Sequence, residues 1–191
     1  MNTPTIAIWA SGSGSNAENI IRSLHPQKVV VAAVYCNNPH AGVIERAKRL
    51  NIPLRLFENA DLLKPSQVDA YLEKDRPDLI VLAGFLRQFP QRFIDRFKTI
   101  NLHPALLPKH GGKGMFGHHV HKSVIEAKES ESGITFHWVN EHYDQGGIIA
   151  QFSCRVLTSD TPETLAQSIH TLEQEHFPSV LLSIFATQPQ P

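Results

Sequence analysis

The chain has 191 residues, 41% of them hydrophobic and 19% charged, which suits one globular domain with a substantial core. Its 18 lysines and arginines balance 18 aspartates and glutamates, so no bulk field draws nucleic acid or an anionic membrane, and any anionic ligand must be held locally. No apolar run approaches the ~18 residues that span a bilayer, no signal-peptide pattern opens the chain, and Cys36 and Cys154 sit in apolar stretches, as buried free thiols do. These features predict a cytoplasmic protein without nucleic-acid or membrane partners.

In chain order, "TIAIWA" (5–10), "VVVAAVYC" (29–36) and "LIVLAGF" (79–85) read as buried strands, with "IPLRLF" (52–57) a shorter one. Ala17–Leu24, Gly42–Leu50 and Ser66–Lys74 between them read as helices, the alternation that makes a parallel sheet covered on both faces. Pro90 opens a short helix, and "TINLH" (99–103) is a strand stopped by Pro104. A loop carrying Pro108, Gly111, Gly112, Gly114 and Gly117 follows, long enough to suggest a functional or mobile segment. A helix over His118–Lys128, strands at 133–139 and 147–157, and a helix from Thr161 to Phe185, started by Asp160 or Thr161 with Pro162, complete the pattern. The expectation is an α/β fold: a single-domain, open, mostly parallel wound sheet over residues 1–186, with a polar tail, "TQPQP" (187–191).

The first loop, "SGSGSN" (11–16), follows a buried strand and opens a helix, so its glycines let the backbone approach an anion at the helix N-terminus. With Ala17 it fits a loose dinucleotide fingerprint, a cradle for one phosphate, or a plain tight turn. A dinucleotide site wants an acidic residue at the end of the second strand, and that strand ends in Asn37 and Asn38. The missing carboxylate favours a small phosphorylated ligand.

"INLHPALLP" (100–108) carries the strongest chemical signal. Alternation along a strand puts Asn101 and His103 on one face at its carboxyl end, where open α/β sheets bind ligands. An amide donor beside an imidazole suits acyl transfer: the first bonds a growing oxyanion, and a protonated second stabilises that charge or protonates a leaving group. A carboxylate beside the imidazole would raise its pKa, and Asp144 in "NEHYDQGGII" (140–149) is the candidate, although spacing alone does not bring it to His103.

Taken together, "SGSGSN" (11–16), "VLAGFLRQF" (81–89), "NLHPALLP" (101–108) and "DQGGIIAQ" (144–151) resemble the folate-dependent formyltransferases, over about Ile6 to Phe185. The resemblance implies a Rossmann-like formyltransferase fold and transfer of a formyl group from 10-formyltetrahydrofolate to the amine of glycinamide ribonucleotide. Asn101, His103 and Asp144 match the catalytic trio, with Asp144 orienting His103 and raising its pKa. Gly14, Ser15 and Asn16 match the nucleotide loop, and Glu175 matches a glutamate near the ribose. Leu86, Arg87, Gln88 and Phe89 match the backbone segment that reads the pterin, with Asn101 beside it and Asn140, Glu141, His142 and Tyr143 as the opposite wall. The implied partners are small molecules, and the implied assembly is a monomer or homodimer, without a metal.

Two features depart from that pattern. The 109–123 loop looks longer than in shorter family members, and no basic residue for the folate tail is placed near Ser66 and Gln67. His110, His118, His119 and His121 invite a metal reading, yet no paired-cysteine or H-E-x-x-H pattern supports one. Lys113 is equally a phosphate-closing residue or a surface lysine. The neutral charge argues against a tRNA-formylating relative, and a non-catalytic binding module would not need the whole trio.

Overall fold

The computed structural model describes residues 3–186, so the 187–191 tail lies outside the described residues. Among the described residues, seven strands form one sheet in the order β3-β2-β1-β4-β5-β6-β7. They are β1 (Thr5–Trp9), β2 (Val30–Cys36), β3 (Leu54–Leu56), β4 (Leu79–Leu82), β5 (Thr99–His103), β6 (Glu131–Trp138) and β7 (Ile148–Arg155). The pairs from β3 through β5 are parallel, and β6 and β7 add on antiparallel. The fold is therefore the expected open, mostly parallel α/β sheet.

Six helices cover it: α1 (Ser15–Leu24), α2 (Val43–Arg49), α3 (Gln67–Asp75), α4 (Gln91–Ile94), α5 (His118–Glu126) and α6 (Pro162–Ala186). Strand alternation sends Ile6 and Ile8 to one face, where α1, α2 and α6 bury Ile20, Ile44, Phe177 and Leu181. Ala7 and Trp9 point to the other, where α3 and α4 contribute Leu72 and Phe93 and Trp9 stacks on Tyr35 at 4.8 Å. The strand expected over 79–85 stops at Leu82, because Gly84 turns the chain at φ +78°.

Helix α6 continues past Pro178. Proline has no N–H, so it leaves the carbonyl of Gln174 without its intrahelical donor, and the Asn19 side-chain amide of α1 donates to that carbonyl at 2.8 Å. The tie fixes the register of α6 against α1. That register decides which α6 side chains reach the first loop.

Candidate active site

The first loop leaves β1 and turns into α1 at Gly14, whose φ of +79° is left-handed. A Cβ there would fall 2.5 Å from the Val43 Cβ at the start of α2, so glycine is required both by conformation and by space. The loop is pulled back onto α2: the Gly12 carbonyl accepts from the Val43 N–H at 3.2 Å and the Ser13 carbonyl from Arg46 Nε at 2.9 Å. Arg46 is held in turn by Glu18, which also pairs with Arg22 and Arg49, and these arginines outweigh burial to hold the Glu18 carboxyl down at about 2. With the carbonyls turned backward and no side chain capping α1, the first-turn N–H groups are left for an anion.

These residues open one end of a cavity of about 450 Å³ that continues along the carboxyl ends of β4 and β5. Asn101 and His103 line its middle, and His103 is only 3% exposed. Its Nε2 donates to the His110 carbonyl at 2.9 Å, and its Nδ1 lies 3.5 Å from Asp144 Oδ2. The structure thus brings together the three residues that sequence spacing left apart. Asp144 is anchored by the Gly112 N–H at 2.9 Å, in a left-handed backbone conformation (φ 56°) that few aspartates adopt. Burial favours its neutral form, but His137, His103 and the Gly112 amide outweigh this and hold the carboxyl below its usual range.

The charge state expected of His103 is corrected. Burial pushes its pKa below the ordinary 6.5, Asp144 and the His110 carbonyl only partly oppose this, and the neighbouring His137 and His110 rings add to the lowering. The ring is held neutral near neutral pH, rather than charged.

His137 joins the site although no sequence motif marked it. It lies directly across the β5–β6 ladder from Asn101, with Nε2 3.1 Å from the Asn101 amide nitrogen and 3.5 Å from Asp144 Oδ1. Its Nδ1 donates to the Trp138 carbonyl at 2.9 Å, and its Nε2 sits between Asp144 and one N–H of the Asn101 amide, which it accepts when Nδ1 carries the ring's proton. The second N–H of Asn101 remains for a ligand. A usable signal exists in "GITFHW": Ile134 and Phe136 are core residues, which sends Thr135 and His137 to the opposite face.

The lining also includes Leu86, Arg87, Gln88 and Phe89, and Asn140, Glu141, His142 and Tyr143. The Phe89 ring packs 5.0 Å from Trp9 in the core, and the Leu86 N–H donates to the Ser11 hydroxyl, which ties this wall to the first loop. Ser66 and Gln67 are absent from the lining; Ser66 caps α3 through a capping box with Asp69.

The structure also corrects the glutamate. Glu175 does not line the cavity and its side chain is 65% exposed, whereas Glu173 does, with Oε2 accepting from Asn16 Nδ2 at 2.9 Å. His170 Nδ1 lies 3.4 Å from Glu173, a pairing that raises the His170 pKa. Lys113 is exposed and outside the lining, although Gly112, Gly114 and Met115 beside it are within. His118 is exposed 3.7 Å from Glu163 while His121 is buried, and among the described residues no group of three or more His, Cys, Asp or Glu side chains could hold a metal ion.

Among the described residues, no helix is long and apolar enough to cross a membrane, and both cysteines are free. Residues 5–181 match the formyl transferase family model. The chain is 39% identical over 180 residues to the chloroplastic phosphoribosylglycinamide formyltransferase of Arabidopsis thaliana, covering 90% of this chain and 61% of that one. It spans 57% of the similar plant enzyme of Vigna unguiculata, so it is shorter than both plant relatives. The phosphoribosylglycinamide formyltransferase of Bacillus subtilis is 37% identical, covering 92% of this chain and 91% of that one. Among solved structures, the enzyme of the same name from Anaplasma phagocytophilum superposes with a TM-score of 0.89 at 29% identity, covering 99% of this chain and 90% of that one. Glycinamide ribonucleotide transformylase 1 from Geobacillus kaustophilus gives 0.86 at 33% identity, covering 96% and 99%.

Proposed function

The chain belongs to the formyl transferase family, and on that premise we propose that it transfers the formyl group of 10-formyltetrahydrofolate to the amine of glycinamide ribonucleotide. The products are N-formylglycinamide ribonucleotide and tetrahydrofolate, a step of de novo purine synthesis. One observation carries the reading: a single cavity joins an anion-ready helix N-terminus to the Asn101, His103 and Asp144 cluster.

In this reading residues 1–186 form one formyltransferase domain, and the nucleotide phosphate takes the first-turn amides at Gly14, Ser15 and Asn16. Glu173 accepts from the ribose hydroxyls, and the amine points toward His103. The pterin lies between the 86–89 backbone and the 140–143 wall, with its anionic tail toward Arg87. The neutral amine attacks the formyl carbon directly, and the oxygen that becomes anionic takes the second N–H of Asn101 and an N–H of His103. His103 Nε2 now donates to the His110 carbonyl. Transfer therefore requires that carbonyl to yield its place to the oxyanion. The anionic oxygen and Asp144 together then favour the proton that burial disfavours on the ring: the imidazole takes it from the ammonium formed by attack and gives it to the folate nitrogen as the bond from that nitrogen to the formyl carbon breaks and the oxyanion collapses to the new amide. His137 holds the Asn101 amide in register, and no metal or covalent enzyme intermediate enters the scheme. Function as a cytoplasmic monomer or homodimer acting on small molecules completes the proposal.

The test is steady-state formyl transfer by purified protein with glycinamide ribonucleotide against glycinamide, glycine and other amino-ribonucleotides. The reading expects turnover with glycinamide ribonucleotide and none of comparable efficiency with the others. Equal rates for unphosphorylated amines would remove the role of the first loop.

A further inference from the structure

His121 is a buried imidazole that the reaction scheme does not use. It lies on the first turn of α5, beside Val120 and Val124, which are fully buried and fix the helix against the core, and it is itself 7% exposed. It lines the cavity. Among the described residues its side chain makes no hydrogen bond: Nδ1 is enclosed without a partner, and Nε2, which is not enclosed, is the nitrogen left to the cavity. Every other histidine on the cavity wall near the centre has a polar contact: His103 on the His110 carbonyl, His137 on the Trp138 carbonyl, His170 with Glu173.

Leaving a buried imidazole unsatisfied costs stability, so a purely structural position would favour an apolar side chain of similar shape. Its surroundings locate the missing partner. The ring shares the cavity lining with Glu173 on α6 and His103 on β5, whose charges act on it together with that of His118 on its own helix. Glu173 marks the ribose end of the cavity through Asn16, and His103 marks the reacting centre. The part of the bound nucleotide that spans these two ends is its glycinamide arm.

We propose that His121 is a substrate-binding residue whose hydrogen-bond partner is the carboxamide of the glycinamide arm. This rests on the reading of function above. The two nitrogens of an imidazole point apart, so with Nδ1 enclosed it is Nε2 that meets one group of that amide, its C=O or its N–H. Burial lowers the ring's pKa and keeps it in the neutral form this pairing requires. The side chain then selects a nucleotide bearing an amide arm over a bare ribose phosphate.

The test measures binding of glycinamide ribonucleotide and of ribose 5-phosphate, together with melting temperature, for the unaltered protein and for His121→Phe, His121→Leu and His121→Asn. Expected is a rise of about tenfold or more in the Kd of glycinamide ribonucleotide for His121→Phe, as for a lost buried polar pair. Ribose 5-phosphate affinity stays unchanged, the melting temperature is unchanged or higher, and His121→Asn recovers part of the affinity. His121→Leu stands in if the phenylalanine does not fit. A lower melting temperature with unchanged affinity would make His121 a structural residue and overturn the assignment, and equal losses for both ligands would overturn its placement on the arm. If the unaltered protein neither binds nor formylates glycinamide ribonucleotide, the reading of function fails and takes this inference with it. If it does both and His121→Phe matches it, only this inference fails.

Discussion

Replacing Asp144 with asparagine removes one charge while keeping the shape and an acceptor for the Gly112 N–H. In the native site the carboxylate lies 3.5 Å from His103 Nδ1. At an effective dielectric near 20, a unit charge pair at that spacing attracts by roughly 5 kcal/mol. This attraction is what offsets the burial that lowers the His103 pKa, and it is strongest when the ring shares a proton with the developing oxyanion. Some of it is recovered by other dipoles in the variant, so kcat is expected to fall about 10²- to 10⁴-fold, the range of a lost general acid. Nucleotide affinity should be nearly unchanged, because the contacts of Asp144 are with His103, His137 and Gly112 and not with the first loop. Steady-state formyl transfer at saturating concentrations of both substrates measures this, with circular dichroism as the check on folding. A kcat within about tenfold of the unaltered protein would refute the role given to the carboxylate.

Three further outcomes follow from the same geometry. Gly14→Ala forces a left-handed alanine, at about 1–2 kcal/mol, and sets a methyl 2.5 Å from Val43, at about 1–3 more, so denaturant unfolding should show a loss of about 2–5 kcal/mol; a loss under about 0.5 would contradict the packing described. Glu173→Gln should weaken glycinamide ribonucleotide binding about tenfold while Glu175→Gln leaves it unchanged, as titration calorimetry can compare, and the reverse result would restore the original assignment. His103 and His121 have folded pKa values below the ordinary 6.5, so the unfolded chain takes up protons that the folded one refuses, and stability falls as pH drops below 6.5. Glu18, held at about 2 against 4.5, adds a second loss as pH falls from 4.5 to about 2; a urea midpoint flat from about pH 7 to 5 would exclude the first, and one flat from about pH 4.5 to 2 the second.

The parts of the site legible in the sequence were those carried by one element. Strand alternation alone put Asn101 and His103 on one face of β5, and glycines after a buried strand marked the anion loop. What depended on pairing between elements was not legible. His137 reaches Asn101 only because β6 returns antiparallel in a register that sets the two opposite each other, and nothing local in the chain states that register. Which glutamate lines the cavity was not legible for a related reason: two residues along a helix rotate a side chain by about 200°, so choosing between Glu173 and Glu175 requires the rotation of α6. The Asn19 bond to the carbonyl below Pro178 sets that rotation. The His103 charge depended on burial, which the motif does not reveal: a carboxylate at 3.5 Å reads as a raised pKa until the ring is seen to be 3% exposed.

The central claim is direct transfer, with both substrates in one cavity and no formyl group resting on the protein. An initial-rate grid in which glycinamide ribonucleotide and 10-formyltetrahydrofolate are both varied tests it most directly. Direct transfer gives intersecting double-reciprocal lines, the pattern of a ternary complex. Parallel lines would contradict it, because they require the formyl group to leave the folate for the enzyme before the amine arrives.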